Sequence, residues 1–120
     1  MRPVPEFWTT ITYDGARDVC VVAVQGDVDP ATAPALKAMV IQASQDHQCP
    51  VVVDAQEVGF IDAAGIGALI GASTVVRDLG RRVTVRNPSP SVHKLLRLTG
   101  LDDSPMIERS IPTGQSAALR

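Results

Sequence analysis

Along this chain the spacing of apolar positions switches repeatedly between the period of a strand and the period of a helix. Phe7 to Tyr13 is rich in aromatic and β-branched residues and runs into Asp14-Gly15, a hairpin-turn dipeptide, so it predicts a first strand followed by a tight reversal. Val19 to Val24 is continuously apolar, the pattern of a central strand covered on both faces. Leu36, Met39, Val40 and Ala43 then recur at helical spacing. Asp29 is placed to cap that helix, with Pro30 at its first position.

The alternation continues. Val51 to Ala55 predicts a second central strand, followed by a loop through Glu57, Val58 and Gly59. Strand, helix and strand at this spacing favour parallel pairing through a right-handed crossover. Asp62 can cap a second helix whose expected core stripe is Ile66, Leu69, Ile70, Val76 and Leu79, stopped by Gly80. Arg82 to Arg86 alternates as a further strand. A third helix carrying Val92, Leu95, Leu96 and Thr99 follows, ending at Gly100. Met106 to Arg109 has the character of a short last strand, and 110–120 reads as a tail or short terminal helix. The expectation is one α/β domain over 1–120 with its core at about 7–109: a mixed, mostly parallel sheet of 4–5 strands with helices packed mainly on one side.

Composition narrows the functional classes. The chain has 120 residues, 45% of them hydrophobic and 20% charged, which suits one self-sufficient core and excludes compositional disorder. A formal net charge of −2 without a basic stripe argues against nucleic acid as a partner. Arg81, Arg82 and Arg86 read as the solvated edge of a strand. No apolar run reaches the length of a membrane span and the amino terminus lacks the apolar core of a signal peptide, so a cytoplasmic protein without direct membrane insertion is expected. Two cysteines, Cys20 and Cys49, are too few for a disulfide scaffold and suggest no metal site.

Candidate chemistry is sparse. Asp27, Asp29, Asp54, Asp62, His47 and His93 are the titratable loop residues, and no serine or cysteine sits in a nucleophile elbow. Gly65-Ile66-Gly67 opens a helix after a strand, but the dinucleotide fingerprint needs a further glycine where Ile70 stands. No catalytic residue, cofactor or metal is assigned, and the chain is read as a docking module, not an enzyme. What stands out is Gly65, Gly67, Ala68, Gly71 and Ala72 within two turns. Each interior glycine costs about 1 kcal/mol relative to alanine, which implies a gain from close approach. Two sources of that gain remain open: packing of the helix on its own sheet, or a flat face for a partner.

The run Val51-Val52-Val53-Asp54, followed by Val58-Gly59-Phe60-Ile61-Asp62-Ala63-Ala64-Gly65-Ile66-Gly67, resembles the STAS domain, especially bacterial anti-sigma factor antagonists. Gly26-Asp27-Val28-Asp29 resembles that family's loop before its first helix, and Ser91 to Leu101 its closing helix with a terminal Gly-Leu. The resemblance covers about 7–115. It implies a face for an anti-sigma factor, often one with a kinase fold, made by Asp27, Asp29, Phe60, Asp62, Ala63, Ala64 and Gly65. It also implies release of a sigma factor when that partner is bound, and a monomer or weak dimer.

In the family the motif usually reads Asp-Ser-Ser-Gly or Asp-Ser-Ala-Gly, and the first serine accepts phosphate. Ala63 holds that position here, so there is no phosphoacceptor and the resemblance implies a permanently unmodified surface. Ser73 and Thr74 lie about 15 Å further along the helix, too far to substitute. Two other roles are compatible with a missing acceptor: an accessory subunit of a lipid-transport ATPase, or a scaffold subunit of a stress-sensing assembly. Cys20 lies near the start of one predicted central strand and Cys49 just before the next, so if those strands are adjacent the two cysteines come within disulfide range and form a candidate redox pair.

Overall fold

The computed structural model describes residues 7–104. Strands β1 (Trp8–Asp14), β2 (Val19–Val28), β3 (Val51–Ile61) and β4 (Val83–Arg86) form one sheet in that spatial order. Helices α1 (Ala33–His47), α2 (Ala63–Asp78) and α3 (Pro90–Leu98) connect or follow them. β1 pairs antiparallel with β2, and β2, β3 and β4 are parallel. Two right-handed crossovers stepping the same way across a sheet place their helices on the same face, and α1 and α2 do pack against each other there. The α/β class, the mixed sheet and the one-sided helix layer are therefore as expected, with four strands among the described residues. The expected last strand at Met106–Arg109 lies outside them.

The core is a valine layer. Cys20, Val22 and Val24 on β2, Val51 and Val53 on β3, and Val83 and Val85 on β4 are buried, and the register aligns Cys20 with Val51 and Val51 with Val83. Leu36, Val40 and Ala43 of α1 and Ile66, Leu69 and Val76 of α2 close over it. Branched side chains suit both the pleat and this packing, and each fully buried one contributes roughly 1.5–3 kcal/mol.

Four expectations are corrected. Val19 to Val24 is not covered on both faces: Val21 is half-buried and Ala23 exposed, because both helices lie on the other side. The stripe of α2 is rotated from the expected one, with Ile70 and Leu79 exposed and Gly65, Ala68 and Ala72 buried, since small side chains let this helix settle closely on its neighbours. Asp29 caps a turn before α1 and not the helix itself, which starts at Ala33 with Pro34 in its first turn. Finally, β3 does not end at Ala55. It runs on through Glu57, Val58 and Gly59, as β2 runs on through Gly26 to Val28, and each extension supplies the other's hydrogen-bond partners.

Candidate functional site

Those two extensions build the site. Relative to β2, the pairing advances by one extra residue of β3 between Ala23 and Gln25, and by another between Gly26 and Asp27. Gly26 sits at φ 102, a conformation open to glycine, which lets β2 bend at the second of these shifts. The result aligns Asp27 with Phe60 and Val28 with Ile61, and the N–H of Asp62 donates to the Val28 carbonyl at 3.2 Å. Bulges commonly re-aim side chains at sites, and here they bring Phe60 and Asp27 to the same end of the sheet as the first turn of α2.

Each polar residue of the site has a structural task. Oδ1 of Asp62 accepts the N–H groups of Ala64 at 3.0 Å and Gly65 at 3.2 Å, satisfying two of the orphan donors that open α2. Oδ1 of Asp29 accepts the N–H groups of Ala31 and Thr32 at 3.0 and 3.1 Å. The Thr32 hydroxyl donates to the Asp27 carbonyl at 2.9 Å, binding the end of β2 to the turn before α1. Asp27 Oδ1 lies against Gly59, 3.2 Å from where a Cβ would stand.

The exposed part of this end is Phe60, 49% accessible, together with Ala63 and, half-buried, Ala64, Asp27, Asp29 and Asp62. Gly65 is buried beneath them. A Cβ there would meet Ile61 Cγ1 at 2.6 Å and Val28 Cγ1 at 2.7 Å, so this glycine sets how closely α2 meets the strand ends. Gly67 is different: it is exposed, and a Cβ on it would meet nothing within 4 Å. Within the small-residue run Gly65 thus packs on the strand ends, while Gly67 faces outward.

Two contributors escaped the sequence reading. Thr32 is one, and its position three residues after Asp29 was the available signal. Ser91 is the other: its hydroxyl donates to the Gly59 carbonyl at 2.9 Å, tethering the start of α3 beside Phe60 from 32 positions away, which no local pattern reveals. Asp54, read from sequence as a loop carboxylate, lies within β3 and pairs with Arg86 at 3.7 Å. His93 is exposed on α3, and His47 stacks on Tyr13 with ring centroids 4.2 Å apart. Neither histidine joins the site end. Among the described residues no group of three or more histidine, cysteine or acidic side chains is arranged to hold a metal ion, and no helix is long and apolar enough to cross a membrane.

Residues 11–108 match the family described as "Mlab, STAS domain". The chain belongs to the STAS domain family. An anti-sigma F factor antagonist of Paenibacillus polymyxa is 29% identical over 92 residues, 76% of this STAS chain and 79% of the relative. Among solved structures, an anti-sigma factor antagonist from Mycobacterium paratuberculosis superposes with a TM-score of 0.73 at 24% identity, covering 96% of each chain. The phosphorylated form of SpoIIAA, a Bacillus cell fate determinant, gives a TM-score of 0.62 at 20% identity over 96% of this chain and all of that one. At these identities the two structures establish a shared STAS fold.

Proposed function

We propose that this STAS domain is an anti-sigma factor antagonist whose docking surface is the end of the sheet built by Asp27, Asp29, Phe60, Asp62, Ala63 and Ala64, seated on Gly65, and that it works without phosphorylation at that surface. The names of its relatives support the general role. The observation that carries the finer reading is Ala63: it is exposed in the first turn of α2, directly after the Asp62 cap and three positions after exposed Phe60, and it has no hydroxyl.

The electrostatics support the same reading. Asp27, Asp29 and Asp62 are half-buried and Glu57 exposed on the segments that carry exposed Phe60, a composition that suits a partner offering basic groups about an apolar recess. A phosphate at this spot would add a charge of about −1.5 to −2 to a surface that is already acidic. Alanine keeps position 63 in one chemical state, so regulation falls to abundance, another modification, a ligand or redox chemistry.

The test is binding of the purified protein to the anti-sigma factors encoded in the same genome. One of them should bind the untreated chain. Phe60→Ala should weaken that complex at least tenfold while leaving thermal stability within a few degrees, as truncation of a central aromatic anchor does. If the partner is of the kinase type, incubation with ATP should leave the mass of the chain unchanged, whereas Ala63→Ser should gain one phosphate. Failure of every anti-sigma factor to bind, or phosphorylation of the unaltered chain by its partner, overturns the proposal.

A further inference from the structure

At the opposite end of the sheet from the docking surface lies a pair of thiols. Cys20 follows the first residue of β2 and Cys49 precedes β3 by two, and their Sγ atoms are 3.3 Å apart with both side chains fully buried. The main chains that carry them are already joined, because the N–H of Cys20 donates to the carbonyl of Pro50 at 2.9 Å. A disulfide needs the two sulfurs about 1.3 Å closer. Both residues adjoin left-handed turns, with Asp18 at φ 56 two positions before Cys20 and Gln48 at φ 52 one before Cys49.

The surroundings govern access. Tyr13 is the register partner of Cys20 across β1 and β2, so the two side chains stand side by side on the helix-covered face, and His47 stacks on its ring at an interplanar angle of 5°. The Tyr13 hydroxyl is held by Asp18 at 2.8 Å. The thiols thus lie beside an exposed aromatic pair at the rim of the fold, the nearest route by which a small oxidant could reach them. In the reduced state the Cys20 S–H donates to the Ala43 carbonyl at 3.4 Å and the Cys49 S–H to Cys20 Sγ.

We propose that Cys20 and Cys49 are a dithiol oxidised by hydrogen peroxide to an intrachain disulfide that fastens the end of α1 to the start of β2. The Cys49 sulfur, giving up its proton, attacks a peroxide oxygen: the O–O bond breaks, a sulfenic acid forms, and the departing hydroxide takes that proton to become water. The Cys20 thiol then attacks the sulfenic sulfur and hands its proton to the departing oxygen; the S–S bond forms, the S–O bond breaks and a second water leaves. In balance, two thiols are oxidised by two electrons and one peroxide is reduced to two waters.

The cross-link closes a loop that contains β2, the Asp27 to Thr32 turns and α1. Its effect is on the unfolded chain, whose freedom it restricts, and not on the shape of the distant docking surface. Strand β2 rises about 3.3 Å per residue, so Asp27 stands over 20 Å from Cys20. The disulfide is accordingly a stabilising lock.

The experiment treats the folded, full-length protein with hydrogen peroxide, quenches it, then denatures and alkylates it before mass measurement. The expected product has lost two hydrogens and takes no alkylating reagent, while the untreated protein takes two equivalents. Lys37 separates the cysteines, so trypsin without reductant should release the peptide 18–37 joined to the peptide 38–77. Oxidation should raise the melting temperature by on the order of 5–15 °C, an increase abolished by reductant and absent in Cys49→Ala. Two alkylatable thiols after treatment, sulfinic acid in place of the cross-link, or a bridge formed only between two chains overturns the proposal. These readouts need no anti-sigma factor, so they stand or fall separately from the docking reading.

Discussion

Gly65 and Val28 meet so closely that a Cβ on the glycine would stand 2.7 Å from Val28 Cγ1, with Ile61 Cγ1 at 2.6 Å on its other side. Val28 is completely buried at the end of β2 and Ile61 nearly so at the end of β3, so neither can swing into solvent to make room. Gly65→Ala therefore has to push the first turn of α2 away from the strand ends. Equilibrium unfolding should show a loss of about 1–3 kcal/mol, although alanine is the better helix former by about 1 kcal/mol. An unchanged or higher stability would mean that α2 is free to shift at its start.

The same substitution two residues on should do the opposite. Gly67 is helical, exposed and without neighbours within 4 Å, so Gly67→Ala gains the helix propensity and meets no obstacle. Its unfolding free energy should rise by roughly 0.5–1 kcal/mol. If the partner lies against this turn, the added methyl also weakens the complex, and titration of the partner against this variant shows whether the flat face reaches beyond Ala64.

Asp62 has two properties that substitution separates. Its carboxylate caps α2 through Ala64 and Gly65, and it also contributes charge to the end of the sheet proposed for docking. Asp62→Asn keeps an acceptor oxygen and should leave stability within a few tenths of a kcal/mol of the original, whereas Asp62→Ala should cost about 1 kcal/mol. Partner affinity should fall in both if the charge is recognised. Equal melting temperatures for the two variants would show that the cap contributes nothing.

The elements were legible where one local force decides them. The valine runs, the Asp14-Gly15 turn and the glycines after α2 and α3 marked strands and helix ends correctly, with Gly80 at φ 86 and Gly100 at φ 74. Asp62 as a cap could be read from its place before a helical pattern. The lengths of β2 and β3 could not, because Glu57 is a polar residue that pairs only because Gln25 lies beside it, and Gln56 and Gly59 fall at the two shifts of register. For the same reason the alignment of Asp27 with Phe60 was hidden: it depends on two irregularities of register, which a strict period of two cannot express. Motif resemblance placed Gly65 among the surface residues. Its burial follows from side chains at positions 28 and 61, which only the folded chain brings together.

The thiol pair makes a prediction about alkaline pH. Burial first, then the hydrogen-bonded and electrostatic coupling to the Cys49 thiol, pushes the Cys20 thiol up to about 12 from an ordinary value of 9.0, and the other charged neighbours acting on it, Asp46 and Asp18, work in the same direction. Tyr13, raised chiefly by its hydrogen bond to Asp18, stands beside the pair. In the unfolded chain Cys20 ionises near its ordinary value, while in the folded chain it keeps its proton, so between about 9 and 12 the unfolded state binds fewer protons. Stability then falls as pH rises, by at most about 1.4 kcal/mol per pH unit for this one group, and the contribution is complete below 9. Other groups of the chain titrate at alkaline pH as well, so the quantity to measure is the difference between the reduced protein and Cys20→Ala. That difference should be constant from pH 6 to about 8 and shrink above about 9 as the penalty appears in the original chain alone. A difference that does not change with pH would show that Cys20 reaches water in the folded state. In that case the thiol pair would also be open to peroxide without any parting of Tyr13 from His47.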